Sequence, residues 1–201
     1  MTPELLNEIR RTLEFSYDGT DSLRENQKRI QILEYAKKYD CRTLIETGTN
    51  RGDTVEAVRD SFRDVYSIEI GPNLYKAAQR RFINAQNVHL RLGDAREVLP
   101  NLLSDLILGR VIFYLDAHFQ YDDDSPAGKA TETSTPVEID VISQLRPGSL
   151  VLIDDARLFS SKYYPSEPDL LTLIQQIEDK EIWDVELKDD MIRLVPKSWA
   201  S

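Results

Sequence analysis

The chain is short of the residues that thiolate and imidazole chemistry needs: one cysteine, Cys41, and two histidines, His89 and His118, in 201 residues. One cysteine excludes an intrachain disulfide. The same shortage leaves a zinc site without Cys and His ligands. No apolar run approaches the roughly 18 residues of a membrane span. The start, "MTPELLNEIRRTLEF", is amphipathic and acid-bearing, unlike a signal peptide, so a cytoplasmic protein with no membrane partner is expected. Positive charge is scarce as well. Lys and Arg number 25 against 35 Asp and Glu, and the net charge of −10 argues against a nucleic-acid partner. Phosphate loops are missing too, since the chain holds neither G-x-G-x-x-G nor Gly-Lys-Ser/Thr.

What is present is an ordinary globular composition, 41% apolar and 30% charged, long enough for one domain with a buried core. Its wealth of carboxylates means that any metal would be bound through oxygen, which suits magnesium, calcium or manganese. Thr2 and Pro3 open a helix with Leu5, Leu6, Ile9 and Leu13 on one face. Ser22 and Glu25 read as a capping box for a second helix, with Ile30, Leu33 and Ala36 facing inward. From residue 42 short apolar runs take over: "TLIET", "VYSIEI", "VHLRL", "VIFYLDA" and "SLVLIDDA". Helical spacing fills 54–62, 73–82, 95–103 and 136–145 between them, and another helix is expected over 170–177. "WDVELKDDMIRLV" then reads as a hairpin. The predicted fold is therefore α/β: a Rossmann-like three-layer sandwich whose mostly parallel seven-stranded sheet ends in an antiparallel hairpin, with two N-terminal helices. Residues 1–41 are expected to form a helical cap, and 42–201 the main domain.

Ligands of open parallel sheets bind beyond the carboxyl ends of the strands. Here those ends carry Glu46, Glu69, Asp94, Asp116 and the pair Asp154–Asp155. Singly, such acids are most often helix caps, and glycines beside them turn formers. Together at one edge they repel one another and call for a cationic or hydroxyl-bearing ligand. The first loop, "ETGTNRGDT", puts Glu46 two residues before Gly48 and spaces Gly48 and Gly52 four apart. A carboxylate there repels a pyrophosphate and attracts an ammonium or sulfonium, which disfavours a nicotinamide oxidoreductase.

"ETGTNRGDT", "IEIG", "GDA" and "YLDA" follow one another as in the class I S-adenosylmethionine-dependent methyltransferases, which the chain resembles from about residue 42 onward. The resemblance implies that Glu46, Gly48, Thr49, Asn50 and Gly52 carry the methionine part of S-adenosylmethionine. By the same resemblance Glu69 takes both ribose hydroxyls with Ile70 beside it, and Asp94 and Ala95 meet the adenine. "YLDA" followed by "VLIDDAR" is similar to the metal-dependent O-methyltransferases of macrolide and aminocoumarin sugars, with a related arrangement in catechol O-methyltransferase. That likeness implies a magnesium ion on Asp116, Asp154 and Asp155, with Asp116 both catalytic and beside the cofactor, and a small-molecule acceptor such as a sugar. The alternative for the pair is that Asp155 caps the next segment and Asp154 faces solvent.

The sugar-modifying family has a second Asp two residues after the first, where this chain has His118. A neutral imidazole there is a general base or a substrate-orienting group. His89, inside a strand, is assigned to structure. The loop 119–136 is long and polar, and its Asp122–Asp124 run reads as solvated; Tyr121, Lys129 and Glu138 are within possible reach of an acceptor. Other readings stay open: a metal-independent N- or carboxyl-methyltransferase, or a non-catalytic nucleoside-binding module on the same fold. Oligomeric state is open too, a homodimer included.

Overall fold

The computed structural model describes residues 2–14, 21–106, 109–116, 133–160 and 168–199. Seven strands form one sheet: β1 (Thr43–Thr47), β2 (Asp64–Glu69), β3 (Val88–Leu92), β4 (Val111–Leu115), β5 (Leu150–Ile153), β6 (Trp183–Lys188) and β7 (Met191–Pro196). Their order is β3-β2-β1-β4-β5-β7-β6, with β1 to β5 parallel and β7 antiparallel to both β5 and β6. Every residue of β1, β4 and β5 is buried, as strands covered on both faces must be; β4 and β5 accordingly read as unbroken apolar runs, while β1 also buries Thr43, Glu46 and Thr47. The edge strand β6 alternates buried and exposed instead.

Helices α2 (Asp21–Tyr39), α3 (Asp53–Val58) and α4 (Pro72–Arg81) cover one face. Helices α1 (Pro3–Glu14), α5 (Ala95–Asp105), α6 (Thr135–Leu145) and α7 (Leu170–Glu178) cover the other. Ile45, Phe113 and Ile153 pack toward α5 to α7, while their neighbours Leu44, Ile112 and Leu152 pack toward α2 and α3. That is the period-two alternation of a sheet with two cores. The helix expected over 54–62 is α3 followed by a single 3-10 turn, Arg59–Ser61. Leu5 and Ile9 of α1 are buried as expected.

The expected inner face of α2 needs correction. Ile30 is 53% exposed, and the buried line runs Lys28, Gln31, Ile32 and Ala36. The helix already runs at Asp21, one residue ahead of the expected cap. Its inner face is half polar because it meets acids and an arginine: Gln31 Oε1 accepts from Arg193 of β7 at 2.7 Å, and Tyr35 donates to Glu186 of β6 at 3.3 Å. Apolar periodicity cannot show such a face. Among the described residues no helix is long and apolar enough to cross a membrane.

Strand order reverses between β1 and β4, the kind of switch point beyond which open parallel sheets bind their ligands. The backbone amide of Asp116 donates to Thr47 O and that of Asp154 to Leu115 O, both at 3.0 Å. The sheet ladder therefore continues by one step and fixes both acids at its rim.

Candidate functional site

The loop after β1 turns through three left-handed residues, Gly48 (φ 88°), Asn50 (φ 49°) and Gly52 (φ 79°). The amides of Gly48 and Thr49 both reach back to the carbonyl of Ile68, at 2.9 and 3.2 Å, which binds the loop to the end of β2. Glu46 lies beneath it, buried, and accepts from Ser67 Oγ at 2.5 Å; Ser67 Oγ stands 2.6 Å from Thr49 Oγ1. Burial pushes the Glu46 carboxyl up to about 8, against the opposing effect of the Ser67 hydroxyl. Even with the Arg29 charge opposing it, burial leaves this acid holding its proton near neutrality.

Glu69 ends β2, buried, with one oxygen 2.7 Å from the Asn50 amide and the other 2.7 Å from the Gly71 amide. Burial raises its pKa and the backbone donors pull the other way. These backbone donors fix the orientation of the carboxylate at the end of β2. Ile70 follows it with 44% of its surface exposed at the rim. Asp94 does what a helix-capping acid does: it accepts from the Arg96 amide at 2.8 Å at the start of α5, and the Arg96 guanidinium grips both its oxygens. These hydrogen bonds, the side-chain one foremost, hold its pKa below the usual carboxylate range. Ala95 is buried beneath the cap.

Asp116, Asp154 and Asp155 come together at the exits of β4 and β5, each offering an oxygen within 4.8 Å of the others. Asp154 does not face solvent; it is 1% exposed. Its Oδ1 accepts the Asp155 amide at 2.6 Å and its Oδ2 the Tyr114 hydroxyl at 2.5 Å. Asp155 stands in the left-handed region (φ 49°) at the start of a 3-10 turn, with no side-chain cap bond. Burial first, then the charges of Asp154 and Asp155, raise Asp116 well above the ordinary carboxylate range. The sequence reading did not anticipate the partner of this triad. Lys28 of α2, its side chain 3% exposed, places Nζ 2.6 Å from Asp154 Oδ1 and 2.9 Å from Asp155 Oδ1. Burial would lower its pKa, but the two carboxylates outweigh that and raise it above the usual lysine range. Arg157 Nη1 lies 2.6 Å from Asp155 Oδ1 and also pairs with Asp190. No local motif marks Lys28, which meets Asp155 across 127 positions of chain.

Glu138, read from the sequence as within reach of an acceptor, is a buried acid. It lies one turn into α6, fully buried, and neither carboxylate oxygen has a hydrogen-bond partner among the described residues. The hydroxyls of Ser134 and Thr47 lie near it without reaching hydrogen-bonding geometry, and burial pushes its carboxyl up to about 7. His89 is structural as expected, 3.2 Å from Asp64 Oδ1 and stacked on Tyr66. His118, Tyr121, Asp122–Asp124 and Lys129 lie outside the described residues.

No protein-family model and no curated protein sequence matches the chain. Solved structures do. The chain is similar to the methyltransferase PaMTH1 of Podospora anserina, solved with S-adenosylhomocysteine bound: 15% identity, 98% of this chain and 89% of that one covered, TM-score 0.63. The fold is that of the class I S-adenosylmethionine-dependent methyltransferases. Two further structures with this methyltransferase fold cover nearly the whole chain. TomG of Streptomyces achromogenes is an O-methyltransferase involved in tomaymycin synthesis, solved with S-adenosylmethionine (16% identity, 98% and 91% covered, TM-score 0.57). The other is an O-methyltransferase of Bacillus cereus in complex with S-adenosylhomocysteine (12% identity, 97% and 92% covered, TM-score 0.57). Identities this low speak for the methyltransferase fold and leave the chemistry to the residues of this chain.

Proposed function

We propose that the chain transfers the methyl group of S-adenosylmethionine to a hydroxyl oxygen of a small acceptor such as a sugar or other natural product. The observation that carries the reading is Glu69: a buried carboxylate at the strand exit, oriented by the amides of Asn50 and Gly71 beside the left-handed loop of residues 48–52. In this reading it takes the ribose hydroxyls, and exposed Ile70 gives the adenine an apolar surface. Glu46, Gly48, Thr49, Asn50 and Gly52 surround the methionine part, and Asp94 and Ala95 border the adenine. The acidic rim answers the positive charge of the sulfonium.

The acceptor oxygen attacks the methyl carbon in line with the carbon–sulfur bond. The new carbon–oxygen bond forms as that bond breaks, the sulfonium becomes a neutral thioether, and the acceptor proton passes to a base. His118, two residues beyond Asp116 in the chain, is the proposed base. The protein contributes chiefly proximity and orientation, because the cofactor carries the reactive group.

A magnesium ion on Asp116, Asp154 and Asp155 is a second reading, favoured by three carboxylate oxygens within 4.8 Å, the ligand chemistry a hard ion takes. With Lys28 standing on two of these acids the donor set does not fit an ion as arranged, and no step above passes through one. The test of the main reading is calorimetric titration with S-adenosylhomocysteine. The unaltered protein should bind it, and Glu69→Ala should weaken binding on the order of 10- to 100-fold, as expected for lost charged hydrogen bonds. No binding by the unaltered protein would overturn the proposal.

A further inference from the structure

The cluster at the exits of β4 and β5 already contains a cation of its own. Asp154 would be a central ligand of any metal held there, yet protein donors from the described residues already occupy both its oxygens. Lys28 Nζ and the Asp155 amide sit on Oδ1, each at 2.6 Å, and the Tyr114 hydroxyl sits on Oδ2 at 2.5 Å. Asp155 Oδ1 is shared between Lys28 at 2.9 Å and Arg157 at 2.6 Å. A magnesium ion needs its ligand oxygens at about 2.0–2.1 Å in near-octahedral array. An ion bonded to these oxygens would stand within a few ångströms of a buried ammonium, and two cations so close, away from water, repel strongly.

The placement of Lys28 is built into the fold. Helix α2 runs from the strand-exit edge back to the start of β1, and four of its residues hold it there. Ile32 and Ala36 pack into the core shared with Leu44 and Val55. Gln31 pairs with Arg193 of β7, and Tyr35 with Glu186 of β6. With these residues anchored, position 28 points at the carboxyl end of β5. A buried lysine is tolerated only when paired, and this one is paired twice with near-ideal distances.

We propose that the ammonium of Lys28 is the resident cation of the acid cluster, taking at Asp154 and Asp155 the place a divalent metal would fill. This deepens the methyl-transfer reading of the same cleft and rests on it for its meaning, though not for its geometry. Lys28 then offsets the repulsion among the three aspartates and fixes Asp154 and Asp155 in their observed orientation. The excess negative charge that remains is left for the cationic cofactor. Helix α2 becomes part of the site, so the acceptor meets a surface that it helps to build.

Manganese is the probe, since it takes the same oxygen ligands as magnesium and its binding can be followed by electron paramagnetic resonance. Unaltered protein and Lys28→Met are titrated with manganese, and each is titrated in parallel with S-adenosylhomocysteine. The unaltered protein should bind manganese no tighter than roughly millimolar, the weak end of oxygen-ligand sites. Lys28→Met, freed of the competing charge, should bind it on the order of tenfold tighter or more. One manganese bound per unaltered chain at micromolar concentration would overturn the proposal, and that result needs no variant. A folded Lys28→Met that binds S-adenosylhomocysteine but gains no manganese affinity would overturn it too. Failure of the unaltered protein to bind S-adenosylhomocysteine would instead sink the methyl-transfer reading and leave the manganese comparison standing.

Discussion

Gly52 looks like a ligand-loop glycine in the sequence, but its neighbours give a second reason for it. A Cβ there would lie 2.6 Å from Cε2 and 2.9 Å from Cζ of Phe82, a buried ring of the core beneath α3 and α4. The backbone also sits at φ 79°, which costs an L-residue roughly 1–2 kcal/mol. Overpacking adds about 1–3 kcal/mol. Gly52→Ala should therefore lower the stability measured by urea unfolding by about 2–5 kcal/mol. A loss under about 1 kcal/mol, the low end of either effect, would mean that Phe82 moves aside freely and that the glycine serves the ligand alone. Asn50, by contrast, reaches the left-handed region with a side chain that tolerates it, and its amide donates to Glu69.

At the scale of elements, α5 shows how one acid can serve two purposes. Asp94 closes the first turn of the helix through the Arg96 amide. Asp94→Ala should cost about 1 kcal/mol, the usual worth of a cap, while Asp94→Asn should recover most of it. If both variants unfold at the same urea concentration as the parent, the cap is idle and the residue answers only to the ligand. The elements themselves were largely legible. The strands β4 and β5 are apolar runs because they are buried on both faces, and Asp116, Asp154 and Asp155 follow them at the sheet rim, at the strand exits where the reading put them. Two features were not legible, for a common reason. The inner face of α2 and the buried Glu138 are polar groups inside, and hydrophobic periodicity treats every polar residue as outside. Lys28 is understood only through acids that follow it by more than 120 positions, and no local pattern carries that distance.

Over the whole molecule, the burial of acids near the strand exits makes stability depend on pH. Glu46 is pushed up to about 8, Glu138 up to about 7, and Asp116 well above its ordinary value, each with burial as the first cause. In the unfolded chain these groups ionise near their ordinary values, so between about pH 4 and pH 8 the folded state holds more protons than the unfolded one. Their contribution is fully present below the unfolded pKa and is lost as pH rises through the folded one. Asp53, Asp64 and Asp94 are shifted the other way by Arg81, Arg63 and Arg96 respectively, but that stabilisation fades only below the range in question. The unliganded protein should therefore unfold at lower urea at pH 8 than at pH 5.5. Glu138→Gln separates one acid from the rest, because glutamine keeps the volume and cannot ionise. It should raise stability by about 1 kcal/mol at pH 5.5 and by about 3 kcal/mol at pH 8, because each tenfold change in an acid's ionisation constant on folding is worth about 1.4 kcal/mol. A variant whose pH slope matches that of the parent would show Glu138 already ionised and solvated. The acid edge would then owe its pH dependence to Glu46 and Asp116, the two acids proposed to face the cofactor.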